Sequence, residues 1–256
     1  MSERIRRAFA ARKAFIPFIT AGDPSMEVTE QLVYALEAAG ADLIELGIPF
    51  SDPVAEGPVI QAASERALAA GFTTDKLFEM TARLRKRTDI ALAFMTYLNP
   101  VYAYGKERFV RQAAECGVDA LIVPDLPFEE KDELAPLCEQ YGLAFISLIA
   151  PTSRGRALRI AAEAQGFVYC VSSMGVTGMR ARLGTEIGGI IRLVKESRDI
   201  PCAIGFGVST PEQARDMAEL SDGVIIGSAI VDIAARHGKD CAGPVREFAE
   251  KIRAVL

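Results

Sequence analysis

The chain has 256 residues, of which 50% are hydrophobic, and its 29 basic and 34 acidic side chains leave a net charge of -5. This length suits one α/β barrel, and the acidic balance argues against nucleic acid as the main partner. No apolar run approaches the roughly 18 residues of a membrane span, which predicts a protein that does not enter the membrane.

The cysteines and the single histidine limit the chemistry. The five cysteines are scattered without a CxxC pair, which favours reduced thiols over disulfides or a metal site. His237 follows an apolar stretch, so we expect it at a helix end or on the surface, and it gives a zinc site or a His-based nucleophile little support. The charged N-terminal stretch Met1–Phe9 lacks an apolar signal core, so we expect a cytoplasmic protein.

Short apolar runs with many β-branched residues alternate with helical patterns from end to end. The predicted strands are Phe15–Thr20, Asp42–Glu45, Ile90–Met95, Ala120–Val123, Ala144–Ile149, Phe167–Val171, Pro201–Ile204 and Gly223–Ile226. Each is followed by a helical segment, and eight such units favour closure into a (β/α)8 TIM barrel. No linker or shift in composition divides the chain, which predicts a single domain over residues 1–256. A doubly wound open sheet is the alternative.

Two extra helices are predicted beside the repeating units. One, Ser2–Arg12, precedes the first strand and is expected to plug the bottom of the barrel. The second extra helix is predicted after the second strand. Two helices, Val59–Ala70 and Asp75–Arg87, follow that strand, where the repeating unit has one. The basic run Arg83–Arg87 falls in the last turn of the latter helix, where cations complement the helix dipole, so we expect a solvated helix end.

The most informative segment runs from the end of the second strand to Pro58. It carries the carboxylates of Glu45, Asp52 and Glu56 on a loop that its prolines restrict in conformation. A carboxylate at the end of a buried strand is costly without a partner or a function, which points to acid–base chemistry on a small substrate. The alternatives are a structural, paired carboxylate for Glu45 and solvated loop charges for Asp52 and Glu56.

Glycine-rich turns follow the late strands. Gly205–Gly207 and Gly227-Ser228 come after strands seven and eight, where barrel enzymes often bind phosphate through backbone N–H groups. Plain strand-to-helix turns are the alternative. The glycine-rich loop Ser172–Leu183 is predicted to be a mobile lid. No GxGxxG follows the first strand, so a dinucleotide fingerprint is absent.

Active sites of such barrels lie at the C-terminal ends of the strands, which yields further candidates. These are Phe18, Met95, Tyr97, Asp125, Tyr169 and Phe206. The apolar members suit a wall for an aromatic substrate, but the same residue types also fill a top core layer. Tyr169 and Asp125 equally suit hydrogen bonds to neighbouring strands.

Seven segments, in the same order, resemble the tryptophan synthase alpha chain family and span nearly the whole chain. They are Pro17–Pro24, Glu45–Pro53, Met95–Tyr97 with Asn99-Pro100, Pro124–Pro127, Gly175–Gly178, Gly205–Gly207 and Gly227–Val231. The second-strand segment is very specific to that family. The late glycine turns are shared with other phosphate-binding barrels.

This resemblance implies a retro-aldol lyase of L-tryptophan biosynthesis. Such an enzyme cleaves indole-3-glycerol phosphate to indole and glyceraldehyde 3-phosphate. The resemblance also implies an alpha2beta2 heterotetramer, in which a beta chain holding pyridoxal phosphate receives the indole through a tunnel and condenses it with L-serine. It implies no cofactor in the alpha chain itself.

The resemblance also implies roles for single residues. Glu45 matches the acid–base at indole C3 and the glycerol hydroxyl. Glu56 matches a loop aspartate that faces the indole nitrogen, so here the carboxylate stands on an arm longer by one methylene. Asp52 matches a beta-chain interface residue, Tyr169 a tyrosine lining the site, and Thr177 a lid threonine that meets the loop carboxylate on closure. The matches to the phosphate site are Gly178, Gly207, Gly227 and Ser228.

Other functions remain open at this level. A free-standing indole-3-glycerol-phosphate lyase that releases indole would share every catalytic residue and differ only at the interface. A different phosphosugar barrel, such as an isomerase or synthase of the same pathway, would need a strand-end lysine or a catalytic Cys–Asp pair. No predicted strand ends in lysine. A non-catalytic barrel kept as a partner's activator is disfavoured while both carboxylates remain.

Overall fold

The computed structural model describes residues 2–150, 154–171, 180–205 and 207–256, with the backbone alone at 180–186. Its eight parallel strands form a closed barrel in which each pairs with the next and the last pairs with the first. They are β1 (Ala14–Thr20), β2 (Leu43–Gly47), β3 (Ala91–Met95), β4 (Ala120–Ile122), β5 (Ala144–Ile149), β6 (Val168–Val171), β7 (Cys202–Gly205) and β8 (Gly223–Ile226). The predicted (β/α)8 barrel is therefore confirmed, and the open sheet is wrong.

Helices surround the barrel, apart from the N-terminal helix, which lies at its bottom. Those of the described residues are α1 (Glu3–Ala8), α2 (Met26–Ala38), α3 (Pro58–Ala69), α4 (Thr74–Leu84), α5 (Leu98–Tyr104), α6 (Lys106–Glu115), α7 (Ala135–Tyr141), α8 (Arg154–Glu163), α9 (Arg180–Ser197), α10 (Pro211–Leu220), α11 (Ser228–His237) and α12 (Ala242–Arg253). Short 3-10 turns lie at Phe128–Glu133 and Gly238–Asp240. Within these ranges, no helix is long and apolar enough to cross a bilayer.

Several helices begin where the sequence predicts them. The hydroxyls of Ser25, Thr73 and Thr210 accept hydrogen bonds from backbone N–H groups in the first turns of α2, α4 and α10. These bonds satisfy donors that a helix start otherwise leaves without partners. The predicted second helix after β2 is confirmed as α4. The structure also has a second helix after β3, because Gly105 at φ 93° separates α5 from α6.

The N-terminal helix closes the bottom of the barrel, as predicted, but it ends at Ala8 rather than Arg12. Ile5 and Ala8 are buried in the inner core cluster of the barrel. The ring of Phe9 lies 5.3 Å from that of Phe167. This plug and the apolar residues above it leave the opposite end of the barrel as the open one.

Three aspartates at the bottom of the barrel hold neighbouring strands in register. Each immediately precedes an even-numbered strand and accepts a hydrogen bond from a backbone N–H of the strand before it. The pairs are Asp42 with Phe15, Asp119 with Leu92, and Asp222 with Cys202. Arginine or lysine side chains pair with all three carboxylates. These bonds satisfy strand-start donors that the barrel ladder does not reach.

Arg85 corrects one prediction. The basic run Arg83–Arg87 was expected to be a solvated helix end, but the Arg85 side chain is only 10% exposed and lies 2.8 Å from the Asp119 carboxylate. It also donates to the carbonyl oxygens of Gly117 and Ile90. The local sequence identifies Arg85 only as a cation near a helix end. It cannot identify the ion-pair partner, because Asp119 lies 34 residues later.

His237 lies at a helix end, as predicted, since it is the last residue of α11. All five cysteines are unpaired and buried.

Candidate active site

A pocket of about 550 Å³ lies at the C-terminal ends of the strands. It brings together predicted residues that are far apart in sequence. Those that line it are Phe18, Glu45, Glu56, Met95, Tyr169, Gly207, Gly227 and Ser228. Most of the remaining lining is apolar, and the volume is that of a small-molecule site.

Glu45 lies in the middle of β2, beside Phe18 of β1 and Ala93 of β3. Its side chain faces the pocket and is fully buried. Neither carboxylate oxygen has a hydrogen-bond partner among the described residues. Burial in these surroundings raises the pKa of Glu45 to about 8, because a charge without a partner is costly there. The side chain therefore holds a proton at neutral pH, and the described residues give no support to a paired, structural role.

Tyr169 of β6 stands across the pocket from Glu45. It is buried, and burial together with the Glu45 charge raises its pKa well above the ordinary value, so the phenol stays protonated. A Cβ atom on Gly205 would overlap the Tyr169 ring and hydroxyl. The first glycine of the Gly205–Gly207 turn thus makes room for the tyrosine, which sequence reasoning did not foresee.

Phe18 forms another wall. Its ring packs against Ala63 of α3 and Val231 of α11. A Cβ on Gly47 would overlap the ring, and one on Gly227 would lie 3.3 Å from it. Gly47 of β2 and Gly227, which follows β8, therefore leave space for the ring, which lines the pocket.

The loop between β2 and α3 places Glu56 at the rim of the pocket, half-buried. The Tyr97 hydroxyl donates a hydrogen bond to the Glu56 carboxylate and accepts one from the Ala55 N–H at 2.8 Å. Burial raises the pKa of Glu56, and the Asp125 charge adds to the rise, while the Tyr97 hydrogen bond opposes it. Within the described residues Tyr97 is not part of the pocket lining, so its role in substrate binding stays a prediction.

Two predicted acidic residues lie outside the pocket. Asp52 is exposed at the loop tip, beside Val54, which is 79% exposed. Asp125 accepts hydrogen bonds from the Leu98 N–H at 3.0 and 3.2 Å, so it caps the start of α5. Asp125 therefore hydrogen-bonds to a neighbouring element, which is the alternative to a role in the pocket.

Part of the pocket lining escaped sequence reasoning. The missed apolar residues include Ile60, Leu126, Phe128, Phe145, Leu148 and Ile160. Leu126 lies inside the Pro124–Pro127 segment, which was a usable signal. The others lie on helices, on the 3-10 turn at Phe128–Glu133 and on β5. From the sequence, their apolar side chains cannot be distinguished from ordinary core residues.

The glycine turns after β7 and β8 meet at one end of the pocket. Gly207 has φ 70°, and Gly227 is the N-cap of the ten-residue helix α11, which begins at Ser228. A helix start with free N–H groups and close backbone approach suits an anion. The predicted partners Thr177, Gly178 and Phe206, and residues 172–179 of the predicted lid, lie outside the described residues.

We expect Gly207→Ala to weaken binding of glycerol 3-phosphate by about 10–100-fold, the equivalent of one or two hydrogen bonds to a charged group. Binding of indole alone should change far less. Calorimetry with each ligand measures both effects. Gly142→Ala is the matched control, because Gly142 has φ 78° with open space around it at the other end of the barrel. Gly227→Ala should also weaken phosphate binding, but its Cβ would press on Phe18. Equal losses for both ligands in Gly207→Ala would mean that the turn is only structural.

The fold and the pocket define a class: a (β/α)8-barrel enzyme with a buried carboxyl group facing a mainly apolar small-molecule site. The model of the tryptophan synthase alpha chain family matches residues 6–255. This chain therefore belongs to the tryptophan synthase alpha chain family.

Individual relatives agree. The tryptophan synthase alpha chain of Lacticaseibacillus casei is 46% identical over 256 residues, which cover 100% of this chain and 96% of the relative. The alpha subunit of Legionella pneumophila superposes with a TM-score of 0.89 at 37% identity, covering 100% and 98% of the two chains. A chain from the tryptophan synthase α2β2 complex of Pyrococcus furiosus gives a TM-score of 0.88 at 34% identity, covering 95% and 98%.

Proposed function

We propose that the pocket cleaves indole-3-glycerol phosphate to indole and glyceraldehyde 3-phosphate, with Glu45 as acid–base and Glu56 as the carboxylate facing the indole nitrogen. The observation that carries this proposal is the state of Glu45. It is fully buried in a mainly apolar pocket, without a hydrogen-bond partner among the described residues, and its pKa is raised to about 8. A carboxyl group in that state can both give and take a proton near neutral pH.

The reaction uses the Glu45 carboxyl group twice, first as an acid and then as a base. Protonated Glu45 delivers its proton to indole C3, which places positive charge on the ring nitrogen. The Glu56 carboxylate offsets that charge. The resulting Glu45 carboxylate then takes the proton from the hydroxyl on the adjacent glycerol carbon. The bond from C3 to that carbon breaks, its electron pair returns to the ring, and the carbon becomes the aldehyde. Glu45 ends protonated, as it began.

The other pocket residues bind and orient. Phe18 and Tyr169 flank the indole ring, and an apolar lining excludes water from the charged intermediate. Backbone N–H groups hold the phosphate, from Gly207 in the turn after β7 and from Gly227 and Ser228 at the start of α11. Gly178 and the lid threonine Thr177 belong to the same proposal by resemblance.

The chain acts as the alpha subunit of an α2β2 tetramer in the cytoplasm and passes indole to a beta chain. That partner holds pyridoxal phosphate and condenses indole with L-serine. The Pyrococcus furiosus relative belongs to such a complex. The loop tip carrying Asp52 and the exposed Val54 stands at the mouth of the pocket and suits a partner surface there.

Size-exclusion chromatography and an indole-release assay, each with and without a beta chain, test this proposal. We expect slow indole release alone, and complex formation with faster turnover when the beta chain is added. Full activity alone without complex formation would instead support the free-standing lyase. No cleavage under either condition would contradict both.

Three loop variants separate the two loop charges. We expect Glu56→Ala to lose most activity, because nothing else on this loop can offset charge at the ring nitrogen. Glu56→Asp should keep substantial activity, since the carboxylate survives and only its reach changes. Asp52→Ala should show a modest loss alone and a larger loss of activation by the beta chain. Steady-state assays of the three variants, alone and with partner, measure these effects. If Glu56→Ala is fully active while isolated Asp52→Ala is dead, the two roles are exchanged.

A further inference from the structure

The active-site loop is exposed along most of its length and anchored at one end. Ser51, Asp52, Val54 and Ala55 are exposed, whereas Glu56 is half-buried. Two side chains fasten that end. The Gln61 amide donates to the Glu56 carbonyl oxygen at 2.8 Å, and the Tyr97 hydroxyl contacts both Ala55 and Glu56.

The Tyr97 hydroxyl bonds to two consecutive loop residues at once. It accepts from the Ala55 N–H at 2.8 Å and donates its proton to Oε2 of Glu56. A phenol has one proton to donate and lone pairs to accept with, so both bonds form together. The Tyr97 hydroxyl oxygen therefore holds both the loop backbone at Ala55 and the side chain of Glu56.

That atom belongs to a rigid part of the barrel. Tyr97 directly precedes α5, is 2% exposed, and its ring centroid lies 5.4 Å from that of Phe50. Asp125 caps the same helix by accepting from the Leu98 N–H. A tyrosine has few rotamers, and burial removes the remaining freedom, which makes the hydroxyl a fixed reference point.

We propose that Tyr97 is the positioning residue of Glu56, fixing its carboxylate and the end of the active-site loop as one unit. This inference rests on the proposed role of Glu56. A free glutamate arm has three rotatable bonds and much rotamer entropy, so without an anchor it would spend little time at the ring nitrogen.

The length of the arm fits the anchor. A glutamate reaches further than an aspartate by one C–C bond, about 1.5 Å. An aspartate would keep the bond to the Tyr97 hydroxyl only if the loop, which is exposed along most of its length, moved toward it by a similar distance. The fixed Tyr97 hydroxyl is therefore within reach of Glu56, the longer side chain that this chain has in place of the aspartate implied by the family.

The bond also favours the ionised form that the reaction needs. The titratable groups that act on Glu56 are Tyr97, which precedes α5, and Asp125 of the loop after β4. Glu45, Lys131 and Arg156 line the same pocket. The Asp125 charge raises the pKa of Glu56 and the Tyr97 hydrogen bond lowers it. Removing the hydroxyl should therefore raise this pKa and move the acid limb of the kcat–pH profile to higher pH.

The test is Tyr97→Phe, which keeps the ring against Phe50 and removes only the hydroxyl. We expect kcat for indole release to fall about 10–100-fold, as for a misplaced catalytic group, with a change in KM below about threefold. In a Glu56→Ala background the same change should alter the residual kcat by less than about twofold, because the group it positions is gone. Tyr102→Phe is the control on α5, the helix that Tyr97 precedes, since that hydroxyl bonds Glu133 at 2.6 Å and its removal should leave kcat unchanged.

The outcomes separate the two proposals. A wild-type kcat and pH profile for Tyr97→Phe, beside an inactive Glu56→Ala, would overturn the positioning role alone. The same loss from Tyr97→Phe in both backgrounds would overturn it too, since Tyr97 would then act independently of Glu56. A fully active Glu56→Ala would instead remove the proposed role of Glu56 itself, and the inference with it.

Discussion

Glu45→Gln should abolish indole release while the barrel stays folded and still binds glycerol 3-phosphate. The amide keeps the shape of the carboxyl group but cannot transfer the proton to indole C3 or accept one from the hydroxyl. Loss of one positioned acid–base group usually costs about 10²–10⁴-fold. The loss here should reach or exceed the upper end of that range, because the proposed mechanism uses Glu45 in both transfers.

Steady-state indole release, calorimetry with glycerol 3-phosphate and circular dichroism measure the three parts of this expectation. Glu65→Gln is the matched control, since Glu65 lies on the exposed side of α3 and should keep wild-type activity. A purified Glu45→Gln protein that cleaves substrate at near the wild-type rate would show that the acid–base assignment is wrong.

The same side chain should make the stability of the protein depend on pH. Folding raises the pKa of Glu45 from an ordinary 4.5 to about 8. Between these values the folded state holds a proton that the unfolded state has released. The free energy of unfolding therefore falls as pH rises through this window, and the contribution is lost above the folded pKa. Below about pH 4.5 both states are protonated, and the contribution is fully present.

Glu45→Gln lacks this dependence. At 1.36 kcal/mol per unit of pKa shift, we expect the variant to gain about 2–5 kcal/mol over the wild type between about pH 4.5 and pH 9. Urea unfolding of both proteins at the two pH values measures the difference in their free energies of unfolding. The contributions of the other titrating groups cancel, because both proteins contain them. A difference that stays constant with pH would mean that Glu45 titrates normally in the folded chain. The expected gain would also show that the chain keeps a destabilising buried acid for the sake of its chemistry.

The sequence alone determined the barrel and most of its boundaries. The predictions for Ala144–Ile149 and Gly223–Ile226 match β5 and β8 residue for residue, and the other strand ends agree within two residues. Strands of a parallel barrel are buried on both faces, so each appears as a nearly continuous apolar run. Glu45 stood out for the same reason: a carboxylate in such a run breaks a strong pattern.

Tertiary structure decided how these parts act on one another. Arg85 resembles a solvated helix end until Asp119 comes within 2.8 Å. Gly205 and Gly47 resemble turn and strand glycines until the rings of Tyr169 and Phe18 occupy the space of their missing side chains. The pKa of Glu45 and the Tyr97–Glu56 bond likewise depend on neighbours from other strands and loops. The hydrophobic pattern of the sequence indicates which residues are buried. Contacts between segments far apart in the sequence form only when the barrel closes.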